Sequence, residues 1–271
     1  MEQEKNYVAF IDVLGFKQYV IDHADSPDKV YKMIDDIQST ANIFLKTINE
    51  RAVLQSAFFS DSLVFNIKRE ENLPADVNVH FFLNLINTLQ CAILSLPELQ
   101  CLPIRGGIAV GGYHLNEEKN IFFGEAFIRA YEMEAKCAKY PRIVVDAKDF
   151  DLNPEKMLES SRIFHEINSS EEFKHLFEQR EFDENKSVRL YPVARDYDGH
   201  LFCNYLYSQH LVGEGWAGNT GAILFNHKIF IENNLAQCKN EPRLLEKYNW
   251  MKEYHNWFCQ PFEELRGYII K

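Results

Sequence analysis

The sequence predicts an α+β fold, because strand-like and helix-like segments alternate along its first half. A strand from Tyr7 to Asp12 is followed by helical sequence to about Thr47 and by a hairpin from about Val53 to Lys68. Another helix and another strand come next. Hydrophobic residues recur at helical spacing in the helices, and β-branched and aromatic residues dominate the strands. The order βαββαβ is that of a ferredoxin-like antiparallel sheet with helices packed on it.

Local signals indicate the helices and the last strand of this core. Asp25-Ser26-Pro27 is typical of a helix start, and a stripe of apolar residues at helical spacing follows it: Val30, Ile34, Ile37, Ala41, Phe44 and Leu45. Pro74 opens a second long helix that ends near Leu96. The strand from Ile104 to Gly112 is rich in glycine, which permits a neighbouring backbone to approach closely.

Beyond this core the sequence predicts further elements. A short strand near Ile121 precedes a helix around Ala130 and a strand from Arg142 to Asp146. Residues 147–187 are polar and give no clear pattern, residues 188–206 are rich in strand formers, and residues 219–258 have a helical pattern. We expect a core with elaborations over residues 1–211 and a C-terminal helical extension over residues 212–271 that packs on it.

Composition limits the kinds of partner. The chain has 271 residues, 46% of them hydrophobic and 25% charged, and a net charge of -11. This charge argues against a nucleic-acid or anionic-membrane partner and favours a small molecule. Six cysteines occur without a CxxC pair, and neither a signal peptide nor an unbroken apolar stretch long enough to span a bilayer is evident. We expect a cytoplasmic protein with reduced thiols.

Asp12 and Asp61 are the most informative residues. Each ends an apolar, strand-like run, where a buried carboxylate is unfavourable. In the βαββαβ arrangement the first and second strands run parallel with the third between them. The end of the first strand and the turn between the second and third strands therefore share one edge of the sheet. We expect the two carboxylates to meet there.

Two aspartates at one sheet edge can hold two divalent ions, which would activate an attacking hydroxyl and stabilise a triphosphate with its leaving group. Oxygen ligands favour Mg²⁺ or Mn²⁺, and no histidine and cysteine cluster has zinc spacing. Gly15 and Phe16 follow Asp12 where a helix should begin, so backbone amides and Lys17 are candidates for holding phosphates. The pattern indicates phosphoryl or nucleotidyl transfer.

These residues also have ordinary structural interpretations. Asp12 can cap the following helix, and Asp61 can be a turn residue. Phe58 or Phe59 can pack against a base or ribose, but core packing is an equal alternative, because alternation sends the two rings to opposite faces of a strand.

Two arginines are further candidates, Arg105 for substrate binding and Arg129 for catalysis. The alternative for each is a solvated or ion-paired side chain. Cysteine and histidine residues offer no chemistry that the sequence supports.

The segment Phe10-Ile11-Asp12-Val13-Leu14-Gly15-Phe16 resembles the first motif of the class III nucleotidyl cyclase family, which reads Phe-x-Asp-(Ile/Val)-x-Gly-Phe. The strand from Arg105 to Gly111 resembles that family's Arg-x-Gly-Ile-x-x-Gly strand. Gly124 onward resembles its glycine-led helix, followed by a short strand ending near Asp146. The resemblance covers about residues 5–146.

The resemblance implies a role for each element of this site. Asp12 and Asp61 would bind both metal ions, the Val13 carbonyl would add a ligand, and the Gly15-Phe16-Lys17 turn would hold phosphates. The core over residues 1–211 would be the catalytic core of a nucleotidyl cyclase.

The sequence also departs from that family. The positions that select adenine or guanine fall near Ala57 and Ile121, so neither purine-selecting pair is present. The family's asparagine and arginine, which orient the ribose and stabilise the transition state, fall near Ile128 and Glu132. Arg129, one residue along, is the candidate for the missing charge.

Later phrases resemble the Pycsar pyrimidine nucleotide cyclases of bacterial antiphage defence: Gly124-Glu125-Ala126, Ala130-Tyr131-Glu132-Met133-Glu134, Tyr140-Pro141-Arg142-Ile143-Val144, Lys247-Tyr248-Asn249-Trp250 and Tyr254-His255-Asn256. This implies a head-to-tail homodimer with active sites at the interface, which converts UTP or CTP to a 3′,5′-cyclic monophosphate that activates a separate effector. UTP is the first choice. The alternatives are an adenylate or guanylate cyclase, another palm-like nucleotidyl transferase, and a catalytically inactive cyclase-like module that binds nucleotide or a protein partner.

Overall fold

The computed structural model describes residues 6–48, 54–59, 61–68, 75–94, 103–116, 119, 121–148, 191–207 and 220–271. The strands are β1 (Asn6–Val13), β2 (Leu54–Phe59), β3 (Ser62–Lys68), β4 (Ile104–Gly111), β5 (His114–Asn116), β6 (Ile121–Phe123), β7 (Ile143–Val145), β8 (Val193–Arg195) and β9 (Leu201–Cys203). The helices are α1 (Phe16–Asp22), α2 (Pro27–Ile48), α3 (Ala75–Leu94), α4 (Glu125–Cys137), α5 (Thr220–Gln237) and α6 (Pro242–Cys259). Two 3₁₀ helices span Tyr205–Tyr207 and Glu263–Tyr268.

The main sheet has the strand order β2-β3-β1-β4-β7-β9-β8. Its first four strands are antiparallel neighbours and have the ferredoxin-like order predicted from the sequence. Strand β7 pairs parallel to β4, and β9 and β8 extend that side in antiparallel fashion. The α+β prediction is therefore confirmed. Strands β8 and β9 occupy part of the segment that was expected to be strand-rich.

The register places the two candidate aspartates at one edge of this sheet. Strand β3 lies between β1 and β2, as predicted. Asp12 pairs with Ser62 of β3 on one side and with Arg105 of β4 on the other. Asp61 lies in the turn between β2 and β3, and the backbone N–H of Val13 donates to its carbonyl oxygen at 3.3 Å.

Alternation along β1 separates two faces of the sheet. Tyr7, Ala9, Ile11 and Val13 belong to the large core under α2 and α3. The intervening residues, among them Phe10, belong to a smaller core with α4. Asp12 follows the same alternation and therefore lies on the α4 face.

Helices α5 and α6 build a second core against the β8–β9 side of the sheet. Leu224 and Ile231 of α5 pack there with Trp250 and Phe258 of α6 and with Phe202 of β9. This agrees with the predicted helical pattern over residues 219–258. The structure divides that pattern into two helices, which are separated by the turn between Gln237 and Pro242. The predicted domain boundary at residue 211 lies outside the described residues. No helix in the described ranges combines the length and the apolar character needed to cross a membrane.

Arg142 ties this extension to the sheet. Its side chain is completely buried and forms ion pairs with Asp196 and Asp198. Trp250 Nε1 donates to Asp196 at 2.6 Å, and the Trp250 ring stacks on Tyr140 with a centroid distance of 5.8 Å. The Tyr140-Pro141-Arg142 and Lys247-to-Trp250 phrases thus contain residues that fix α6 beside the start of β7.

Candidate active site

Asp12 is held by polar neighbours from the two strands that flank β1. The Ser62 hydroxyl lies 3.4 Å from Asp12 Oδ1 and donates to it. Arg105 Nη2 lies 3.5 Å from Asp12 Oδ2. Only 20% of the Asp12 side chain is exposed. The carboxylate thus has weak, long contacts within the protein and an open side toward solvent.

The electrostatics of this edge favour a bound cation. Burial, with smaller contributions from the negative charges of Asp61 and Glu134, raises the pKa of Asp12 to about 7 against the opposing effect of Arg105. Asp61 therefore lies close enough for its charge to disfavour ionisation of Asp12. A divalent cation between carboxylates offsets such repulsion, and oxygen donors suit Mg²⁺ or Mn²⁺.

Glu134 is part of this site and was not singled out as a functional residue from the sequence. It lies in the last turns of α4, is 5% exposed, and has one oxygen 2.7 Å from Arg105 Nη2. The angle of this ion pair falls outside that of a hydrogen bond. Burial raises the pKa of Glu134, and Arg105 opposes the rise. The sequence signal that could have indicated Glu134 is a carboxylate on the apolar stripe of α4, one turn after Ala130.

The described part of the chain supplies few metal ligands. No group of three or more histidine, cysteine, aspartate and glutamate side chains suited to a metal occurs in the described part of the chain. Glu134 is engaged with Arg105. Asp12 and Asp61 are therefore the side chains that could hold metal ions, with the Val13 carbonyl, water and substrate phosphates as further oxygen ligands.

The turn after β1 contains a backbone conformation that glycine adopts readily. Gly15 has φ 92° and ψ 2°, a left-handed conformation that glycine adopts without strain, and it precedes α1 without a side-chain cap. Lys17 is exposed, and Phe16 packs partly against the large core. Phosphate binding by Gly15, Phe16 and Lys17 stays a prediction.

The roles of Phe58, Phe59 and Arg129 stay predictions. Phe58 and Phe59 end strand β2, but their side chains lie outside the described part of the structure. Arg129 forms an ion pair with Asp146, and its Nη1 donates to the carbonyl oxygen of Val110 at 3.0 Å.

The register of β4 separates Arg129 from the aspartates. Val110 pairs with Tyr7, at the opposite end of β1 from Asp12. Five residues of strand correspond to roughly 17 Å. A single chain therefore does not bring Arg129 to Asp12, and a catalytic role for Arg129 requires a second chain.

Comparison with solved structures gives remote similarities. The adenylyl cyclase CyaB from P. aeruginosa is 14% identical with a TM-score of 0.40, over 54% of this chain and 78% of that chain. The dimeric guanylyl cyclase domain of the RhoGC fusion protein from the aquatic fungus Blastocladiella emersonii is 15% identical with a TM-score of 0.42, over 53% and 80%. A class III adenylyl cyclase-like ATP-binding protein from Pseudomonas aeruginosa is 15% identical with a TM-score of 0.40, over 53% of this chain and 33% of that chain.

No protein-family model matches the sequence, and no curated protein matches it at a significant level. A function for this chain therefore rests on its own residues.

Proposed function

We propose that this protein is a nucleotide cyclase that converts a pyrimidine nucleoside triphosphate, UTP first and CTP second, to its 3′,5′-cyclic monophosphate and pyrophosphate. One observation carries the proposal: Asp12 near the end of β1 and Asp61 in the turn before the neighbouring strand β3 lie at the same sheet edge, where burial and the nearby carboxylates raise the pKa of Asp12. A buried arrangement of this kind destabilises the protein unless a cation occupies it. The motif around Asp12 supports a cyclase over other metal-dependent enzymes.

In the proposed reaction, the ribose 3′ oxygen attacks the α-phosphorus and forms the cyclic ester. The bond from that phosphorus to the bridging oxygen breaks, pyrophosphate leaves with the bonding electrons, and the 3′-hydroxyl proton passes to solvent. Divalent ions, when bound, would lower the pKa of the 3′-hydroxyl and neutralise the phosphates. Asp12 and Asp61 would hold these ions, and Arg105, which lies beside Asp12, would contribute positive charge near the phosphates.

The pyrimidine preference is supported by what the sequence lacks and by its later phrases. Ala57 and Ile121 stand where purine-selecting residues are expected, and neither can donate a side-chain hydrogen bond to a base. The phrases that resemble the Pycsar cyclases support a role in bacterial antiphage signalling through a separate effector. By the same resemblance the product would be a second messenger.

A homodimer with active sites at the interface is supported by an apolar surface beside α4. Phe123 and Ile128 are 59% and 57% exposed, and Ile121 and Tyr131 are also exposed. We call these four residues the α4 patch. A second chain seated on the α4 patch would cover the smaller core and could bring its Arg129 to the Asp12 edge.

A substrate screen tests the function. Purified protein is incubated with ATP, GTP, CTP or UTP and Mn²⁺, and products are resolved by chromatography and mass spectrometry. We expect a cyclic pyrimidine monophosphate from the wild type and at least a 100-fold loss in Asp12→Ala and Asp61→Ala, with Asp25→Ala as a control for a removed surface carboxylate. Removal of metal by a chelator should abolish the product.

Other results of this substrate screen would each contradict part of the proposed function. A cyclic purine product would refute the pyrimidine preference and would show that the protein is an adenylate or guanylate cyclase. Nucleotide binding without turnover would support the inactive module, which the presence of Ile128 and Glu132 at the expected asparagine and arginine positions favours. Full activity in either aspartate variant would refute the metal site.

A further inference from the structure

We propose that the C-terminal helix α6 contributes Lys247 and Arg243, together with Arg105, to a binding subsite for the polyphosphate of the substrate and for the pyrophosphate product. This inference rests on the proposed function and assigns a role to the helical extension. It would make the extension part of the active site.

The topology brings the α4–β7 connection to the edge that holds the aspartates. Strand β7 runs parallel to β4, and Gly106 pairs with Ile143, so the starts of both strands lie together. The backbone N–H of Gly106 donates to the carbonyl oxygen of Arg142 at 3.1 Å. Arg105, which contacts Asp12, directly precedes Gly106. The residues before β7 are therefore neighbours of the candidate active site.

Helix α6 is fixed against this same connection. Glu246 Oε1 accepts hydrogen bonds from Lys139 Nζ at 2.5 Å and from the Tyr140 hydroxyl at 3.2 Å. One turn later, Trp250 stacks on Tyr140 and bonds to Asp196. These contacts hold the first half of α6 beside the sheet edge. Lys247 directly follows Glu246 in this anchored segment.

Lys247 and Arg243 are four residues apart on α6, so they share a face of the helix. Lys247 is half-buried and Arg243 is exposed. Within the described ranges, no hydrogen bond or ion pair engages either side chain. Burial lowers the pKa of Lys247, and the positive charges of Arg105 and Arg243 lower it further against the opposing charge of Glu246. This agrees with the topology, which places α6 beside the strand that carries Arg105. Two cations without an ion-pair partner in the described ranges, close to an arginine that Glu134 and Asp12 already engage, suit an added anion.

The groups around Lys247 indicate which anion this subsite would bind. The subsite adjoins the candidate metal aspartates through Arg105, and a nucleotide whose α-phosphate lies at Asp12 must extend its β- and γ-phosphates by several ångströms. Phosphate oxygens accept charge-assisted hydrogen bonds from lysine and arginine, and these are about twice as strong as neutral ones. A polyphosphate would also relieve the mutual repulsion of the three cations.

Binding of inorganic tripolyphosphate in the presence of Mg²⁺, measured by isothermal titration calorimetry, tests the subsite without turnover. We expect Lys247→Gln to weaken binding about 10-fold. The charge-preserving Lys247→Arg should stay within about 3-fold of the wild type, as should Lys239→Gln, which removes an exposed lysine from the turn before α6. Thermal unfolding of each variant reports whether it remains folded.

Wild-type affinity in a folded Lys247→Gln variant would overturn the proposal. The two proposals fail separately. If the protein produces a cyclic nucleotide but Lys247→Gln changes neither tripolyphosphate affinity nor KM, the subsite is wrong and the function stands. If no cyclic nucleotide forms from any substrate but Lys247→Gln loses tripolyphosphate binding, the subsite stands without the reaction.

Discussion

The ionised carboxylate of Asp12 lowers the stability of the metal-free protein, but metal binding requires it. Its folded-state pKa of about 7 lies above the ordinary value of 3.8, so the folded metal-free protein disfavours the ionised carboxylate. This penalty is absent below about pH 4, grows as the pH rises from about 4 to 7, and is constant at higher pH. Metal binding requires the ionised form and would release a proton near neutral pH.

We expect Asp12→Asn to raise the melting temperature of the metal-free protein at pH 8, because the amide removes a disfavoured charge. A gain of 1 kcal/mol corresponds to about 2–4 °C in a chain of this size. The gain should shrink at pH 5, where Asp12 is largely protonated. Scanning fluorimetry at both pH values measures it, with exposed Asp25→Asn as the control. A lower melting temperature at pH 8 would contradict this account of Asp12.

Glu134 positions Arg105 between two carboxylates. Arg105 Nη2 is 2.7 Å from Glu134 and 3.5 Å from Asp12, so the nearer partner draws it away from the candidate metal ligand. In Glu134→Gln the arginine should turn fully to Asp12 and compete with metal. We expect Mn²⁺ affinity, followed by electron paramagnetic resonance, to fall about 10-fold.

The matched control for that variant is Glu132→Gln, on the same helix, whose side chain is exposed and pairs with Lys136 at 3.0 Å. It should leave Mn²⁺ affinity unchanged. Equal or tighter Mn²⁺ binding by Glu134→Gln would show that Glu134 does not restrain Arg105.

At this scale the sequence could predict where the aspartates lie and could indicate Arg105, but not the neighbours that the helices supply. Asp12 and Asp61 each end a recognisable strand, so a strand order was enough to bring them together. Glu134 and Lys247 come from helices whose rotation and position depend on packing. Sequence periodicity shows which face of a helix is apolar, but it does not show which charge that face will meet.

At the scale of elements, the contact of α4 with β4 depends on glycine. A Cβ atom on Gly107 would lie 2.2 Å from the Ala130 carbonyl oxygen and 2.8 Å from Met133 Cβ. The glycine-rich strand correctly indicated a close backbone approach. It could not indicate that the partner would be α4, because that depends on which face of the sheet the helix covers.

We expect Gly107→Ala to destabilise the protein by about 1–3 kcal/mol, because α4 must move off the sheet. The shift should also displace Glu134 and reduce activity. Chemical denaturation measures the free energy of unfolding. Gly111→Ala, on the same strand, is the control, since its Cβ would make an ordinary 3.5 Å contact with Ala126. Equal stability of the two variants would refute the role of Gly107.

At the scale of the molecule, the second core contains two neutral histidines. Because the Tyr268 carbonyl can only accept, His255 Nε2 donates to it at 2.9 Å, and His255 Nδ1 must accept from His227 Nδ1. His227 Nε2 then accepts from the Tyr205 hydroxyl at 3.1 Å. Burial lowers the pKa of both rings. Burial and the positive charge of Lys228 together lower that of His255 to about 4, against the opposing hydrogen bond to Tyr268.

Acid should therefore destabilise this core. An unfolded histidine binds its proton near pH 6.5, so the unfolded state binds more protons as the pH falls from 6.5 to 4, and stability falls in that window. Asp12 acts in the opposite direction over a similar range. We expect the melting temperature of Asp12→Asn to fall by about 5 °C or more between pH 7 and pH 4.5. An unchanged value would refute the neutral histidine pair.

The α4 patch should control association. Ile128→Asp places a charge at the centre of this surface and should convert a dimer to a monomer, as measured by light scattering after size exclusion. The control is Phe225→Asp, which alters a 54% exposed aromatic residue on α5. A wild-type monomer at micromolar concentration, or a dimer unaffected by Ile128→Asp, would contradict the proposed interface.

The core topology could be predicted because local patterns gave the order of its elements, and that order admits few sheets. The sequence indicated a strand at β7 and strand-rich sequence around β8 and β9, but the order in which they extend the sheet could not be predicted. These strands are three residues each, too short for their pattern to indicate a partner, and the ion pairs of buried Arg142 with Asp196 and Asp198 join residues more than 50 positions apart.

The wide spacing of the site along the chain has a consequence for folding. Asp12 and Arg105 are 93 residues apart in sequence, and Lys247 is more distant still. Contacts of such separation form slowly, because long loops must close first. A refolding chain should acquire helical structure early, and its affinity for metal and polyphosphate only when the sheet is complete and α6 has docked.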